Sequence, residues 1–539
     1  MIDAGLGSWP ARRARMEPGA IALVQGERRI DYGTLAARVD ALAAALADLG
    51  IGRGDRVAYL GPNDIATFET LFAATHLGAI FVGLNTRLTA AEIAHMLTDC
   101  EPSVLVLAPD TRATGADAAA RTTHPPRLIH LRDRTADTTP VTLVDPAASG
   151  GAHPMVAPST PHSLDTSDYE HILAAHAGTT PPATSVALDD PAIILYTSGT
   201  TGNPKGAILT HGNITWNTLG QFAHFSLGRT DVSLCSAPLF HVLGLGQITL
   251  PTLYAGGTVV VVPKFDAREF LTIVQRERAT AFPLAPTMLQ MLCELPEWDS
   301  ADISSVRCVA YGGSPVIERV ARAWLARGIQ VLQGYGMTEA SPGVFMALEY
   351  GAAAHPVSPG VPHFFTETAL LTEDGTILEG PGTGELLVKG PHVFAGYWNQ
   401  PEATDRAFVE GWLRTGDIVR IDPDGWAHIV DRVKDMIISG GENIYPAEVE
   451  AAITRTEDVA DCAVVAVPDQ KWGEVGLAFL VARPGHTPEP ESLRAQLKTS
   501  LAHYKIPKHY VLCDSLPRNA TGKIQRLPLR DEARRHLGL

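Results

Sequence analysis

The segment Tyr196-Thr-Ser-Gly-Thr-Thr-Gly-Asn-Pro-Lys-Gly206 carries the densest chemistry in the 539 residues. Its glycines let backbone N–H groups approach an anion closely. The hydroxyls of Thr197, Ser198, Thr200 and Thr201 add donors around Gly199 and Gly202, and Lys205 adds a fixed positive charge. That combination suits a polyphosphate. It is not a Walker A loop, in which Lys follows the second Gly and precedes Ser or Thr. Here Lys205 follows Pro204 and precedes Gly206. Two other chemistries are disfavoured. Ser314 follows Gly312-Gly313 but lacks the trailing glycine of a nucleophile elbow. The six cysteines form no CxxC pair, so a zinc site or a disulfide framework is not expected, and Cys308 and Cys462 sit in apolar runs that suggest buried thiols.

The elements that must position this loop read as α/β. Tyr32 to Leu49 places Leu35, Val39, Leu42, Leu46 and Leu49 at helical spacing, and Asp55 to Leu60 reads as a strand. Ala66 to Leu77 reads as helix and Ala79 to Val82 as strand, so the two types alternate as in a parallel sheet. Residues 111 to 187, rich in Ala, Thr, Pro and His, read as a surface excursion of low structural content. Ile193 to Tyr196 is a short apolar strand feeding the loop. The alternation resumes with Thr258 to Val262, Ala267 to Arg278 and Val306 to Tyr311. Frequent Gly and Pro between Ala352 and Asp424 indicate a small β-rich subdomain. The final hundred residues (helix Ala447 to Thr454, strands Val459 to Val467 and Leu477 to Arg483, helix Leu493 to Leu501) are long enough for a separate domain.

Composition bounds the partners. With 43 basic and 59 acidic residues the net charge is −16, which lacks the basic footprint of a nucleic-acid binder. No apolar run reaches the length of a membrane span, and no leader or peroxisomal ending is visible, so a cytoplasmic protein is expected.

From about Asp31 to Arg526 the chain resembles the adenylate-forming enzymes: acyl-CoA synthetases, aryl-CoA ligases, luciferases and peptide-synthetase adenylation domains. Besides the loop, the resemblance rests on Ala237-Pro-Leu-Phe-His241, Tyr311-Gly-Gly-Ser314, Gln333-Gly-Tyr-Gly-Met-Thr-Glu339, Gly411-Trp-Leu-Arg-Thr-Gly-Asp417, Asp431-Arg-Val-Lys-Asp435 and Pro517-Arg-Asn-Ala-Thr-Gly-Lys523. It implies a large N-terminal domain, residues 1–433, and a small mobile α+β domain, 434–539, hinged at Lys434. Gly312, Gly313, Ser314 and the Gly334-Tyr335-Gly336-Met337 turn would pack on adenine. Thr338 would contact the α-phosphate and Glu339 would help hold Mg²⁺. Asp417 and Arg432 would meet the ribose, and Lys523 would serve adenylation alongside Lys205. The acyl pocket would be formed by the gating His241 with Val242, Gly244, Tyr311, Gly312, Met337, Ser341 and Gly343. Gly244 and Gly343 would leave room for a chain or ring.

The resemblance further implies ATP, Mg²⁺ and coenzyme A as cofactor and co-substrates, with Gly440 and Gly441 letting the pantetheine arm pass. The pocket segment Phe240 to Gly246 holds no acidic residue to pair with an ammonium, so an uncharged hydrophobic acid is expected: medium-chain, alicyclic or aryl. A stand-alone acid–CoA ligase, with a homodimer common among such relatives, is the leading reading. An amide ligase using an amine acceptor is the alternative, because Ala395 and His355 stand where relatives often place basic residues. An idle nucleotide-binding homologue is a third reading.

Overall fold

The computed structural model describes residues 4–132, 166–197, 204–312, 318–348, 351, 355, 358–432, 435–439, 442–469, 472–498, 501, 503–518 and 522–538. Two large sheets form the bulk of the N-terminal region. One has eight strands and centres on Arg56–Leu60 and Ile80–Leu84. The loop-bearing strand Pro191–Thr197 runs parallel to Ile80–Leu84, and Lys205–Thr210 returns antiparallel beside it. The other sheet has nine strands. Thr258–Val261, Val232–Cys235, Ala281–Leu284, Cys308–Tyr311 and Gln330–Gly336 lie side by side in parallel. Their interior positions are buried on both faces, which is why they read as apolar runs rather than as alternations.

Parallel strands fix where a site can form. In open α/β sheets ligands bind beyond the carboxyl ends of the strands. The segments after Cys235, Leu284, Tyr311 and Gly336 all leave from that edge. The edges of the two sheets meet there: a Cβ on Gly83, near the end of Ile80–Leu84, would lie 3.1 Å from Phe240 Cα.

The Gly/Pro-rich region forms a six-stranded antiparallel sheet built on Glu367–Leu371, Gly382–Lys389, Trp412–Ile421 and Ala427–Arg432. The C-terminal region is a five-stranded sheet with helices Pro446–Thr454, Pro490–Leu497 and Arg526–Leu537, an α+β unit with its own apolar clusters. Helix starts follow local chemistry: Thr210 and Asn213 form a capping box at the start of His211–Phe225. That helix carries Asn217, Gln221 and His224 at spacings of four and three, hence on one face. All six cysteines are free, and burial raises the Cys235 thiol to about 12.

One expectation is corrected. Within 111–187, expected to have low structural content, the described residues form regular elements. Helix Arg112–Ala120, strand Arg127–His130, strand Thr166–Asp168 and helix Tyr169–Ala175 all extend the eight-stranded layer, while 133–165 lie outside the described residues. The Ala-rich helix has little amphipathic contrast, and short doubly covered strands do not alternate, so neither left a periodic signal.

The helix Tyr169–Ala175 is anchored by a buried ion cluster. Arg38 Nε donates to Glu69 Oε1 at 2.6 Å, its Nη1 donates to Glu170 Oε2 at 3.0 Å, and Tyr169 Oη donates to Glu69 Oε2 at 2.8 Å. Burial pushes the Glu69 carboxyl up, but Arg38 and Tyr169 outweigh it and hold the group below its ordinary value. Arg38→Ala is expected to cost about 3–5 kcal/mol at neutral pH, read from the denaturant midpoint, because it strands a buried carboxylate. A depressed carboxyl stabilises the wild type above its unfolded value and loses that contribution as pH falls through the folded value. In the variant the lone Glu69 is stable only when protonated, so the deficit should shrink in acid. A deficit independent of pH would contradict this.

Candidate active site

Tyr335 and Asp417 come from different sheets. Tyr335 lies near the end of the last parallel strand, and Asp417 lies within Trp412–Ile421. Tyr335 Oη donates to Asp417 Oδ2 at 2.6 Å, and Asp417 is only 6% exposed. The backbone of Asp417 faces that of Arg432 across the strand pair. Two positions eighty residues apart are thus joined, with a carboxylate and an aromatic ring side by side.

A second constellation joins the loop strand to the turn after Gly336. Tyr397 Oη donates to Glu339 Oε1 at 2.8 Å, and the Lys205 ammonium lies 5.1 Å from the Tyr397 ring centroid. Glu339 is 6% exposed. Tyr397 sits in the short strand Gly396–Tyr397, which pairs with Lys205–Thr210. Burial first, then the Glu339 carboxylate, raises the Tyr397 phenol far above its ordinary value. It therefore remains a donor at every physiological pH and holds Glu339 in place. Thr197 pairs with Lys205 across the mouth of the loop.

The turn between Gly336 and Gly343 is tightly folded. A Cβ on Gly336 would fall 1.5 Å from Pro342 O, so only glycine fits. Met337 N donates to Pro342 O, and Thr338–Ala340 form a single 3₁₀ turn that places Thr338 beside Glu339. Asn217 then ties this turn to the segment after His241: its Nδ2 donates to Gly246 O at 2.7 Å, and Gly343 N donates to its Oδ1 at 3.2 Å.

His241 precedes the short helix Val242–Gly246, with its ring 4.7 Å from that of Phe240. Burial, helped by Arg87, lowers the imidazole to about 4, so it is neutral at pH 7. Val242 is buried beside it. In the C-terminal region Lys523 follows Gly522, whose φ of +81° favours glycine. A Cβ on Gly522 would lie 3.4 Å from Thr287 Oγ1, in the helix that follows strand Ala281–Leu284. The Lys523 loop thus abuts the N-terminal region at the carboxyl edge of its sheet. Arg518 steadies the loop by donating to Gly522 O at 2.6 Å.

Several expected site residues lie outside the described residues: Ser198, Gly199, Thr200, Thr201, Gly202, Gly313, Ser314, Lys434, Gly440 and Gly441. Three expectations are corrected. Tyr311 is fully buried, belongs to a core cluster and donates to Gln333 Oε1 at 2.8 Å, so it packs the sheet rather than a pocket wall. Gly244 and Gly343 do not hold space for a chain. A Cβ on Gly244 would meet Pro238 O at 2.3 Å, and one on Gly343 would meet Asn217 Oδ1 at 2.9 Å. Gly312 and Gly334 are likewise sites of close approach, Gly312 to the Gly334 carbonyl and Gly334 to Gln247. Sequence reasoning missed Tyr397 and Asn217. Tyr397 lies two residues after Ala395, but nothing local signals a partner at Glu339; only strand pairing brings them together.

Among the described residues no group of three His, Cys, Asp or Glu could hold a metal. A single buried carboxylate, Glu339, close to a polyphosphate-type loop fits a hard cation that takes most of its ligands from phosphate and water.

For the adenylate-forming activity that the resemblance implies, Tyr397→Phe is expected to raise the Mg-ATP requirement about tenfold, the worth of one hydrogen bond to a charged group. The readout is adenylate formation against Mg-ATP concentration; an unchanged curve would detach Tyr397 from Glu339's task.

The model of the AMP-binding enzyme family matches residues 10–398, and that of the AMP-binding enzyme C-terminal domain matches 448–523. Over 538 residues the chain is 44% identical to a feruloyl-CoA synthase from Amycolatopsis sp, covering 100% of both chains. It is 38% identical to an indoleacetate–CoA ligase from Aromatoleum aromaticum, covering 97% of this chain and 96% of the relative. The solved structure of an amide bond synthetase, McbA, from Marinactinospora thermotolerans superposes with a TM-score of 0.84 at 29% identity, covering 98% of this chain and 99% of that one. Among the described residues no helix is long and apolar enough to cross a membrane.

Proposed function

Because the chain belongs to the AMP-binding enzyme family, we propose that it is an ATP-dependent ligase that joins an aryl carboxylic acid to coenzyme A through an acyl-adenylate. What supports this is the Tyr335–Asp417 hydrogen bond, the Lys205–Tyr397–Glu339 constellation and the approach of the Lys523 loop to Thr287. The similarity to the feruloyl and indoleacetate ligases supports an aromatic acid over an aliphatic one.

The physics of the first step requires that cluster. A carboxylate oxygen attacks the α-phosphorus of ATP, a P–O bond forms, and pyrophosphate leaves with the electron pair of the bond that breaks. Two anions meet, so positive charge must offset their repulsion, and positioning with charge stabilisation supplies most of the catalysis. Lys205 lies on the loop side and Lys523 on the opposite, C-terminal side. Thr338 presents a hydroxyl to the α-phosphate, and Asp417 accepts from the ribose hydroxyls, with Tyr335 fixing its carboxylate. Glu339, steadied by Tyr397, would hold Mg²⁺, which when bound neutralises phosphate charge. The neutral His241 closes the acyl side as a packing wall and moves no proton.

In the second step the CoA sulfur attacks the adenylate carbonyl, a C–S bond forms, AMP leaves and the thiol proton goes to solvent. A hinge at Lys434 would let the C-terminal domain exchange the Lys523 loop for the Gly440–Gly441 stretch, so one site serves both steps. Enclosure keeps the mixed anhydride from water.

The test is incubation with Mg-ATP and a panel of aryl and aliphatic acids, with and without CoA or amines, read by product mass. Aryl-CoA that forms only with CoA is expected. The similarity to the amide bond synthetase supports one second reading. Adenylate that ignores CoA and yields amides would establish it in place of the first.

A further inference from the structure

The strand that enters the phosphate-type loop is tied to a helix that the two-step chemistry does not use. Helix Ala90–Cys100 ends beside Asp99, 97 residues before Tyr196 in the chain. The last carbonyls of a helix have no partner within it and must find donors elsewhere. Here Arg56 donates to Cys100 O at 2.5 Å and to Glu101 O at 2.6 Å. Trp398 Nε1 and Asn399 Nδ2 both donate to Asp99 O, at 3.2 and 3.1 Å. The Asp99 carboxylate takes the loop strand itself: Tyr196 Oη donates to its Oδ2 at 2.7 Å, with Met96 O 3.2 Å away.

These partners enclose the base of the loop. Across the two strands Tyr196 pairs with Gly206 and Thr197 with Lys205. Trp398 N donates to Gly206 O at 2.7 Å. A Cβ on Gly206 would lie 3.4 Å from both Tyr196 Cε1 and Trp398 Cβ, so Gly206 sits between the two residues that reach Asp99. Trp398 also follows Tyr397, whose ring faces Lys205 and whose hydroxyl holds Glu339. The Arg56 guanidinium, 5.7 Å from the Trp398 ring centroid, packs the same helix end against that ring. One helix end therefore fixes the strand into the loop, the strand out of it and the Tyr397 arm. Burial first, then the Cys100 thiol and the Asp99 carboxylate, raises the Tyr196 phenol far above its ordinary value, so it stays a donor at every physiological pH.

We infer that Asp99, acting through Tyr196, is a positioning residue for the polyphosphate of ATP: it holds the base of the loop, and Lys205 with it, at a fixed spacing. This deepens, and rests on, the adenylate-forming reading above. A charge aids an anionic transition state most when it is preorganised, and that requires a rigid support behind it. The acid and the thiol step should not depend on this support, because an acyl-adenylate carries no pyrophosphate.

The test measures adenylate formation by pyrophosphate release, and thioester formation from supplied acyl-adenylate and CoA. Tyr196→Phe keeps the ring and removes one hydrogen bond to a charged group, so kcat/KM for Mg-ATP should fall about tenfold, mainly through KM. KM for the acid and the thioester step should stay within about twofold of wild type. Asp99→Leu should reproduce this pattern, and Asp99→Asn, whose amide oxygen still accepts, should recover most of the loss. In a Lys205→Ala background the further effect of Tyr196→Phe should shrink to less than about twofold, because residues that act through one another are not additive. Equal losses for ATP, acid and thioester formation, an unchanged KM for Mg-ATP, or full additivity with Lys205→Ala would overturn the inference and leave a structural strut. A wild type that releases no pyrophosphate with any acid would instead overturn the adenylate-forming reading beneath it.

Discussion

Lys523→Ala is expected to slow acyl-adenylate formation about a hundred- to a thousandfold, the cost of removing one preorganised charge from a developing anionic transition state. Thioester formation from supplied acyl-adenylate and CoA should stay within a few-fold of wild type. The asymmetry follows from where the lysine sits. Its loop reaches the N-terminal region through Gly522 and Thr287, while Arg518 and the Arg518–Asp461 ion pair tie the loop to the C-terminal sheet. On the proposed reading the charge would travel with the C-terminal domain and act only while the loop faces the carboxyl edge. The measurement is pyrophosphate release for the first half-reaction and thioester yield for the second. Equal loss of both would show that Lys523 serves both steps from one position, and the domain-exchange reading would fall.

Asp417→Ala carries the second-largest expected effect, about a hundredfold loss in kcat/KM for ATP. A carboxylate that accepts from hydroxyl donors makes bonds worth roughly 1.5–3 kcal/mol each when charged. Asp417 is nearly buried and already accepts from Tyr335 at 2.6 Å, so removing it would both delete the proposed nucleotide contact and leave the Tyr335 hydroxyl without that acceptor. Tyr335→Phe separates the two contributions, because it breaks only the positioning bond and should cost about tenfold. The loss should appear in KM for ATP more than in kcat. Unchanged ATP affinity in Asp417→Ala would remove the ribose assignment and reduce the pair to a structural strut between two sheets.

The largest departure from the sequence reading concerns the glycines. Gly244 and Gly343 look alike in sequence to a residue kept small for a ligand. Their real neighbours are Pro238 O and the Asn217–His363–Gln221 group, contributed by segments close in space and, for the latter, more than a hundred residues distant for Asn217. A missing side chain in sequence cannot say whether the vacant volume faces substrate or protein. Tyr311 failed for a related reason. On a strand buried on both faces, consecutive side chains alternate between layers, and one residue decides between core and site.

What the chain determined by itself is the local chemistry: the phosphate-type loop before Lys205, the strand-helix alternation, the β-rich insertion, the separate α+β end, and the family to which these strings belong. Those properties depend on short-range backbone rules and on spacing, which are written along the chain. Tertiary structure alone decided the partnerships. Tyr335 with Asp417, Tyr397 with Glu339 under Lys205, and Arg38 with Glu69 and Glu170 all join residues from different sheets or layers. A buried polar group must find its partner wherever the fold brings one, and that distance in space is not encoded in distance along the sequence.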